Sequence, residues 1–199
     1  RGKELDIPET VQGHVVTRAA PFAFSRQRQI TAVSIPNTVD SIGQEAFYIC
    51  PSLQQLKLPT RLKIIGKNAF NYCRALKSVI VPTGTIHIDR HAFYDCTALK
   101  TISIPDTVGF MGEKVFGADG DAKVECTIVC RQDPYVEHYT KENGISAPLC
   151  EDGTALAHEA MHKGYKDYAK LAPQIMQCQF CFLGMLKTAA ETNRRSARS

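Results

Sequence analysis

The sequence predicts an α/β solenoid, a stack of short coils joined along parallel strands and followed by a helical appendage. Three observations predict it. The pair Ala-Phe recurs at 46–47, 69–70 and 92–93, with Val-Phe at 115–116, a spacing of 23 residues each time. Proline keeps the same interval at Pro36, Pro59, Pro82 and Pro105, each preceded by an aliphatic residue: Ile35, Leu58, Val81 and Ile104. Further columns hold cysteine (Cys50, Cys73, Cys96), leucine (Leu53, Leu76, Leu99) and a turn glycine (Gly43, Gly66, Gly112, with Asp89 in its place once). A unit this short cannot bury its own apolar face and gains a core only by stacking on its neighbours.

Within each unit the elements follow in order. The stretches "LQQLKLP" (53–59), "LKSVIVP" (76–82) and "LKTISIP" (99–105) alternate apolar and polar residues and end at a proline, which cannot donate to a ladder. They predict short parallel strands stacked at about 4.8 Å. Their inward set is Val33/Ile35, Leu56/Leu58, Val79/Val81 and Ile102/Ile104. The outward set, Ala32/Ser34, Gln55/Lys57, Ser78/Ile80 and Thr101/Ser103, makes a small, mostly uncharged surface with Lys57 as its one basic residue and an exposed Ile80. After each proline comes a turn, then "SIG", "IIG", "HID" or "FMG", then the Ala-Phe segment, expected to close the coil as a tight helical turn with its phenylalanine buried.

Units reading L-x-x-I-x-I-P-x-x-V-x-x-I-G-x-x-A-F-x-x-C-x-x-L resemble the BspA-like leucine-rich repeats of the Treponema pallidum type. The resemblance runs over residues 4–145 and implies a leucine-rich-repeat horseshoe of about five to six 23-residue coils. "KELDIPETVQGHVVTRAAPFAF" is similar to the first full coil of that family, with "VQGHV" inserted after the proline. "CTIVCRQDPYVEHYTKENGI" (126–145) is similar to its closing coil, and Asn143-Gly144 independently suits a helix stop because both residues tolerate the left-handed conformation. The domain limits follow: residues 1–147 as the solenoid with its closing coil, 148–192 as a C-terminal helical extension, and 193–199 as a basic disordered tail. Family members carry one more strand upstream, so the N-terminus is expected to be trimmed.

Composition narrows the classes. With 199 residues, 44% hydrophobic content and a formal charge of +4, partly from the terminal "NRRSARS", the chain calls for no nucleic-acid partner. Its longest apolar run, "IMQCQFCFLGML" at 175–186, is shorter than the roughly 20 residues that span a bilayer, so no membrane span is expected. The opening "RGKELDIP" lacks a charged-then-apolar leader. Cys50, Cys73 and Cys96 share a column and are expected as a buried ladder of small apolar groups; Cys126 and Cys130 flank the closing strand, and Cys150 follows it. Free thiols in this number favour a reducing compartment such as the cytoplasm. The family resemblance implies a secreted or cell-surface location, so the compartment stays open.

The last 50 residues lie outside the repeat. "EDGTALAHEAMHKGYKDYAKLA" reads as one helix and the stretch from Pro173 to Thr192 as a second, apolar on most sides, so a helical hairpin is expected to cap the last coil or mediate self-association. The first contains His158-Glu159-Ala160-Met161-His162, the H-E-x-x-H spacing that sets two imidazoles on one helical face beside a general base. Lys163-Gly164 follows the second histidine where zinc peptidases keep apolar residues, and Tyr168 stands where a third ligand of the longer motif belongs. A structural zinc held by His158, His162, Cys178 and Cys181 would instead staple the hairpin. The favoured expectation is no metal and no cofactor. His87 and His91 near Asp89 and Asp95 read as solvated surface, and Tyr135 and Tyr139 as one packed face of the closing helix.

The functional expectation is a non-catalytic protein-interaction or adhesion module, because a repeat solenoid presents an extended strand surface on which a protein ligand docks. The residues expected to bind are Ser34, Gln55, Lys57, Ser78, Ile80, Thr101 and Ser103 on the concave strand face. The alternatives are a zinc-dependent metallopeptidase through "HEAMH" and an assembly protein that forms a homo-oligomer through its C-terminal helices.

Overall fold

A computed structural model describes residues 2–119, 126–130 and 134–145. The expected C-terminal hairpin, with His158, His162, Cys178 and Cys181, lies outside the described residues. In chain order the strands are β1 (Lys3–Asp6), β2 (Thr10–Val11), β3 (His14–Val15), β4 (Arg18–Ala19), β5 (Ile30–Ser34), β6 (Ser41–Ile42), β7 (Gln55–Lys57), β8 (Ile64–Ile65), β9 (Ser78–Ile80), β10 (His87–Ile88), β11 (Thr101–Ser103), β12 (Phe110–Met111) and β13 (Thr127–Val129). Helix α1 (Pro134–Glu142) follows.

The repeat period becomes parallel pairing. Val33 lies opposite Leu56, and Ile102 opposite Val79, one repeat away. At the ends the register lengthens because the chain inserts residues. Leu5 pairs with Val33, and the extra stretch between them forms the β2–β3 hairpin, whose two turn residues Gln12 and Gly13 both take positive φ (50° and 80°). That conformation is the one whose twist matches a two-residue hairpin. The inserted "VQGHV" is therefore a β-ribbon set on the first coil. At the other end Ile102 pairs with Ile128, a few residues beyond the repeat interval.

The strands read from the sequence form two ladders, β1-β5-β7 and β9-β11-β13. Their inward residues are buried except Leu5, Ile7 and Leu56, which are half-buried. The two ladders do not join: β7 and β9 run side by side without hydrogen bonds pairing them. Leu56 and Leu58 put a γ-branched residue at both inward positions of one strand, whereas the neighbouring strands carry Val33/Ile35 and Val79/Val81, whose stiff, compact side chains suit a pleated surface better; Leu5, in the same column, stands beside Ile7.

A second sheet was not expected. The "SIG", "IIG", "HID" and "FMG" segments, read as the exit from a turn, pair in one unbroken parallel sheet of order β12-β10-β8-β6-β4. Its glycine column also has a different cause from the one expected. Gly43, Gly66 and Gly112 do not sit at positive φ; a methyl group at each would come within 3 Å of the preceding coil's backbone, 2.2 Å from the Arg90 nitrogen in the case of Gly112. Glycine here permits close approach of two chains rather than a turn.

The Ala-Phe segment is a series of hydrogen-bonded turns, not a helical turn. It forms a third ladder: the amides of Phe47, Phe70 and Phe93 donate to the carbonyls of Ala69, Ala92 and Val115 at 2.8–2.9 Å. A helix would spend these amides internally; aiming them at the next coil requires left-handed residues on either side. Glu45, Asn68 and His91 precede each phenylalanine at φ 56–58°, and Ile49, Tyr72 and Asp95 follow it at φ 54–61°. None is glycine, so each carries a cost of about 1 kcal/mol or more that the stacked coils must hold. Between the sheets Phe24, Phe47, Phe70 and Phe93 stack at centroid distances of 5.1–5.3 Å, and Phe116 closes the column at 6.1 Å.

Candidate interaction surface

The first sheet brings the sequence-predicted binding residues onto one face but on two separate ladders. Ser34 lies opposite Lys57, and Gln55 opposite Ala32, on the first; Ser78 pairs with Thr101, and Ile80 with Ser103, on the second. Gln55 and Lys57 are exposed, whereas Ser34, Ser78, Thr101 and Ser103 are half-buried. Ile80, expected to be exposed, is half-buried as well. The face is thus a shallow strip of small groups, with its two most exposed side chains at the unpaired join between β7 and β9.

The cysteine column serves the backbone as well as the core. The thiols of Cys50, Cys73 and Cys96 donate to the carbonyls of Phe24, Phe47 and Phe70 at 3.2–3.3 Å. Each reaches into the preceding coil and occupies a carbonyl at the bend of the chain. The five described cysteines, with Cys126 and Cys130, are buried and free of disulfides. Burial pushes the Cys73 and Cys96 thiols up and that of Cys126 up to about 12. These three stay protonated near neutrality, weak donors and poor nucleophiles, whereas the hydrogen bond with Cys73 holds the Cys50 thiol lower.

The histidine and aspartate pairs of the fourth coil do not form a site. Asp95, expected at the solvated surface, is buried and accepts a 2.6 Å hydrogen bond from Arg74 Nε. His91 is half-buried against the Tyr94 ring at 4.9 Å, and burial first, then Arg90, Lys114 and Lys67, holds its imidazole below the ordinary value. His87 stacks on Phe110 at 4.4 Å. Tyr72 and Tyr94 both donate to the Asp119 carboxylate, and the Arg74 guanidinium lies 5.3 Å from the centre of the Tyr72 ring. These groups tie the loop after Phe116 to the preceding coils.

Helix α1 finishes the stack. Tyr135 and Tyr139, read as a packed face, do more than pack. Their hydroxyls accept from the amides of Met111 at 2.7 Å and Val115 at 2.9 Å. Met111 belongs to the edge strand of the second sheet, so a side chain supplies the acceptor that a further coil would have offered. Tyrosines four residues apart in a helix were the sequence signal for this, since that spacing sets both on one face.

Sequence reasoning missed the outer face of the second sheet. Ile64, His87 and Phe110 lie side by side there, with Ile86 next to them. Their signal was a column that changes from polar to apolar along the stack: Arg18, Ser41, Ile64, His87, Phe110.

Comparison with known proteins places this geometry. The family model described as the BspA type leucine rich repeat region matches residues 4–123 in six copies. A leucine-rich repeat protein from Bacteroides capillosus is 34% identical over 50% of this chain and 74% of its own length, with a TM-score of 0.45. A leucine rich cell surface protein from Faecalibacterium prausnitzii is 28% identical over 61% of this chain and 33% of its own, at a TM-score of 0.49. The pneumococcal vaccine antigen PcpA shares the fold at 14% identity and a TM-score of 0.57, over 74% of this chain and 41% of its own. A search of curated proteins returns no match. The chain therefore belongs to the BspA type leucine-rich repeat family.

Proposed function

We propose that the protein is a non-catalytic interaction module that binds a protein ligand through its repeat surface, in the manner of an adhesion protein. The observation that carries this reading is the division of labour among columns. The inward positions repeat the same residue types from coil to coil, whereas the outward positions change freely, which is how a repeat scaffold presents a recognition surface without altering its core. On the first sheet the docking residues are Ser34, Gln55, Lys57, Ser78, Ile80, Thr101 and Ser103. Lys57 and Gln55 beside the unpaired strand join offer both charge and backbone groups to a ligand.

Biolayer interferometry of the full chain against a panel of purified extracellular-matrix and serum proteins tests the proposal. Saturable binding to at least one of them is expected, weakened about tenfold or more by Lys57→Glu combined with Ile80→Asp. Absence of saturable binding across the panel sinks the adhesion reading. Binding that survives the double variant moves the site off the first sheet.

A further inference from the structure

Four rungs of the stack show what the backbone edge of a coil accepts. The carbonyls of Ala19, Ile42, Ile65 and Ile88 accept from the amides of Gly43, Gly66, Asp89 and Gly112 in the next coil at 2.8–2.9 Å. Three residues further on, the amides of Phe22, Glu45, Asn68 and His91 donate to the carbonyls of Gln44, Lys67, Arg90 and Glu113 at 2.9–3.1 Å. Each rung therefore offers one acceptor and one donor, and a two-residue step of the next coil fills both. The last coil repeats the offer with the Met111 carbonyl and the Lys114 amide, and Lys114 keeps the same left-handed conformation at φ 46°. Neither group has a partner among the described residues.

These two groups line a groove of about 610 Å³, inside the range of about 300–1,000 Å³ usual for ligand sites. One wall is the edge backbone from Met111 to Lys114, and the other is the face of α1 that carries His138, Tyr139 and Glu142. A sheet edge suits an extended peptide, because its main-chain hydrogen bonds continue the ladder. A full further coil does not fit here. Helix α1 covers the end of the core with Val136 buried, and the Tyr135 and Tyr139 hydroxyls already take the Met111 and Val115 amides.

We infer that this groove binds an extended peptide segment of another protein through a single Gly-X step. The glycine amide donates to the Met111 carbonyl, and the carbonyl of X accepts from the Lys114 amide. Space sets the glycine: on the earlier rungs a Cβ at Gly43 or Gly66 would lie 2.8 Å from the very carbonyl that the residue's amide meets, and at Gly112 2.2 Å from backbone. Asp89 takes the place once, inside a coil whose whole packing holds it, and a short ligand has no such packing. The side chain of X would lie beside the exposed Glu113, which favours lysine or arginine there. The groove is separate from the first-sheet face, and either can fail alone.

The test is an NMR titration of the full chain with acetyl-Ser-Gly-Lys-Asn-amide, whose Gly-Lys-Asn repeats residues 66–68, the step seated on the Ile42 rung. A saturable shift centred on the Lys114 amide is expected. Twins with alanine or N-methylglycine in place of glycine should bind about tenfold more weakly, one for lack of space and the other for lack of the donated proton. A glutamate twin at the lysine should lose less, about threefold. His138→Trp, which puts bulk into the groove from a largely exposed position, should weaken binding about tenfold at an unchanged melting temperature. Lys57→Glu with Ile80→Asp should leave it unaltered. Equal binding of the alanine or N-methylglycine twin, a His138→Trp chain that binds like the wild type, or no saturable shift at Lys114 would overturn the proposal. So would slow hydrogen exchange of the Lys114 amide in the free protein, which would show the groove already filled by the chain's own residues or by a second copy.

Discussion

The two sheets are made by the same coils from the same parallel ladder, yet they differ in what keeps them continuous. The first has strands of three to five residues with strongly apolar inward columns, and it is interrupted between β7 and β9. The second has strands of two residues and runs unbroken through five of them. Strand length and hydrophobicity therefore do not decide continuity here. Close backbone approach goes with continuity instead: glycine on three coils of the second sheet leaves no side chain between neighbours, and the β8–β10 rung alone stays paired with Asp89 in that place.

The largest test of this contrast removes what both sheets share. Phe70 is wholly buried and stacks on Phe47 and Phe93 at 5.3 Å, so Phe70→Ala should cost about 3–5 kcal/mol of stability and loosen both sheets together. Chemical denaturation measures it, and a loss below 1 kcal/mol would mean the sheets do not rest on a common core. Next comes a change confined to the second sheet. Gly112→Ala should cost about 1–3 kcal/mol, more than Gly66→Ala, because its added carbon would meet backbone at 2.2 Å rather than 2.8 Å. The reverse order would detach the glycine column from sheet continuity; Asp89, seated in the same column, shows that the chain can give way there. The smallest effect belongs to the first sheet. Leu56→Val should slow hydrogen exchange of the β7 and β9 amides and raise stability by up to about 1 kcal/mol, the span of strand preferences. Unchanged exchange would show that side-chain shape does not hold the ladder open.

Much of the candidate surface was legible in the sequence and some was not, for definite reasons. Alternation around Pro59, Pro82 and Pro105 located β7, β9 and β11 and separated their faces, because a period of two is a local property of the chain. The half-burial of Ile80 and Leu56 was not legible, since each depends on neighbours one repeat away. The stripe of Ile64, His87 and Phe110 was visible as a column but looked like background variation, because its residues gain meaning only when pairing lays them side by side. The buried Asp95 was misread for the same reason: its partner Arg74 lies on another coil.

By itself the sequence determined the coil. Its period, its core columns of leucine, cysteine and phenylalanine and the first set of strands all follow from composition and spacing, and the closing helix from the family resemblance with Asn143-Gly144 as its stop. Only the tertiary structure decided the second sheet and the ladder through the phenylalanines. Strands of two residues carry no periodic signal, and nothing in the local preferences of Ile49 or Tyr72 calls for a left-handed backbone. The hydrogen bonds that hold these segments run to residues 22 to 24 positions away, so their conformation exists only once the coils have stacked.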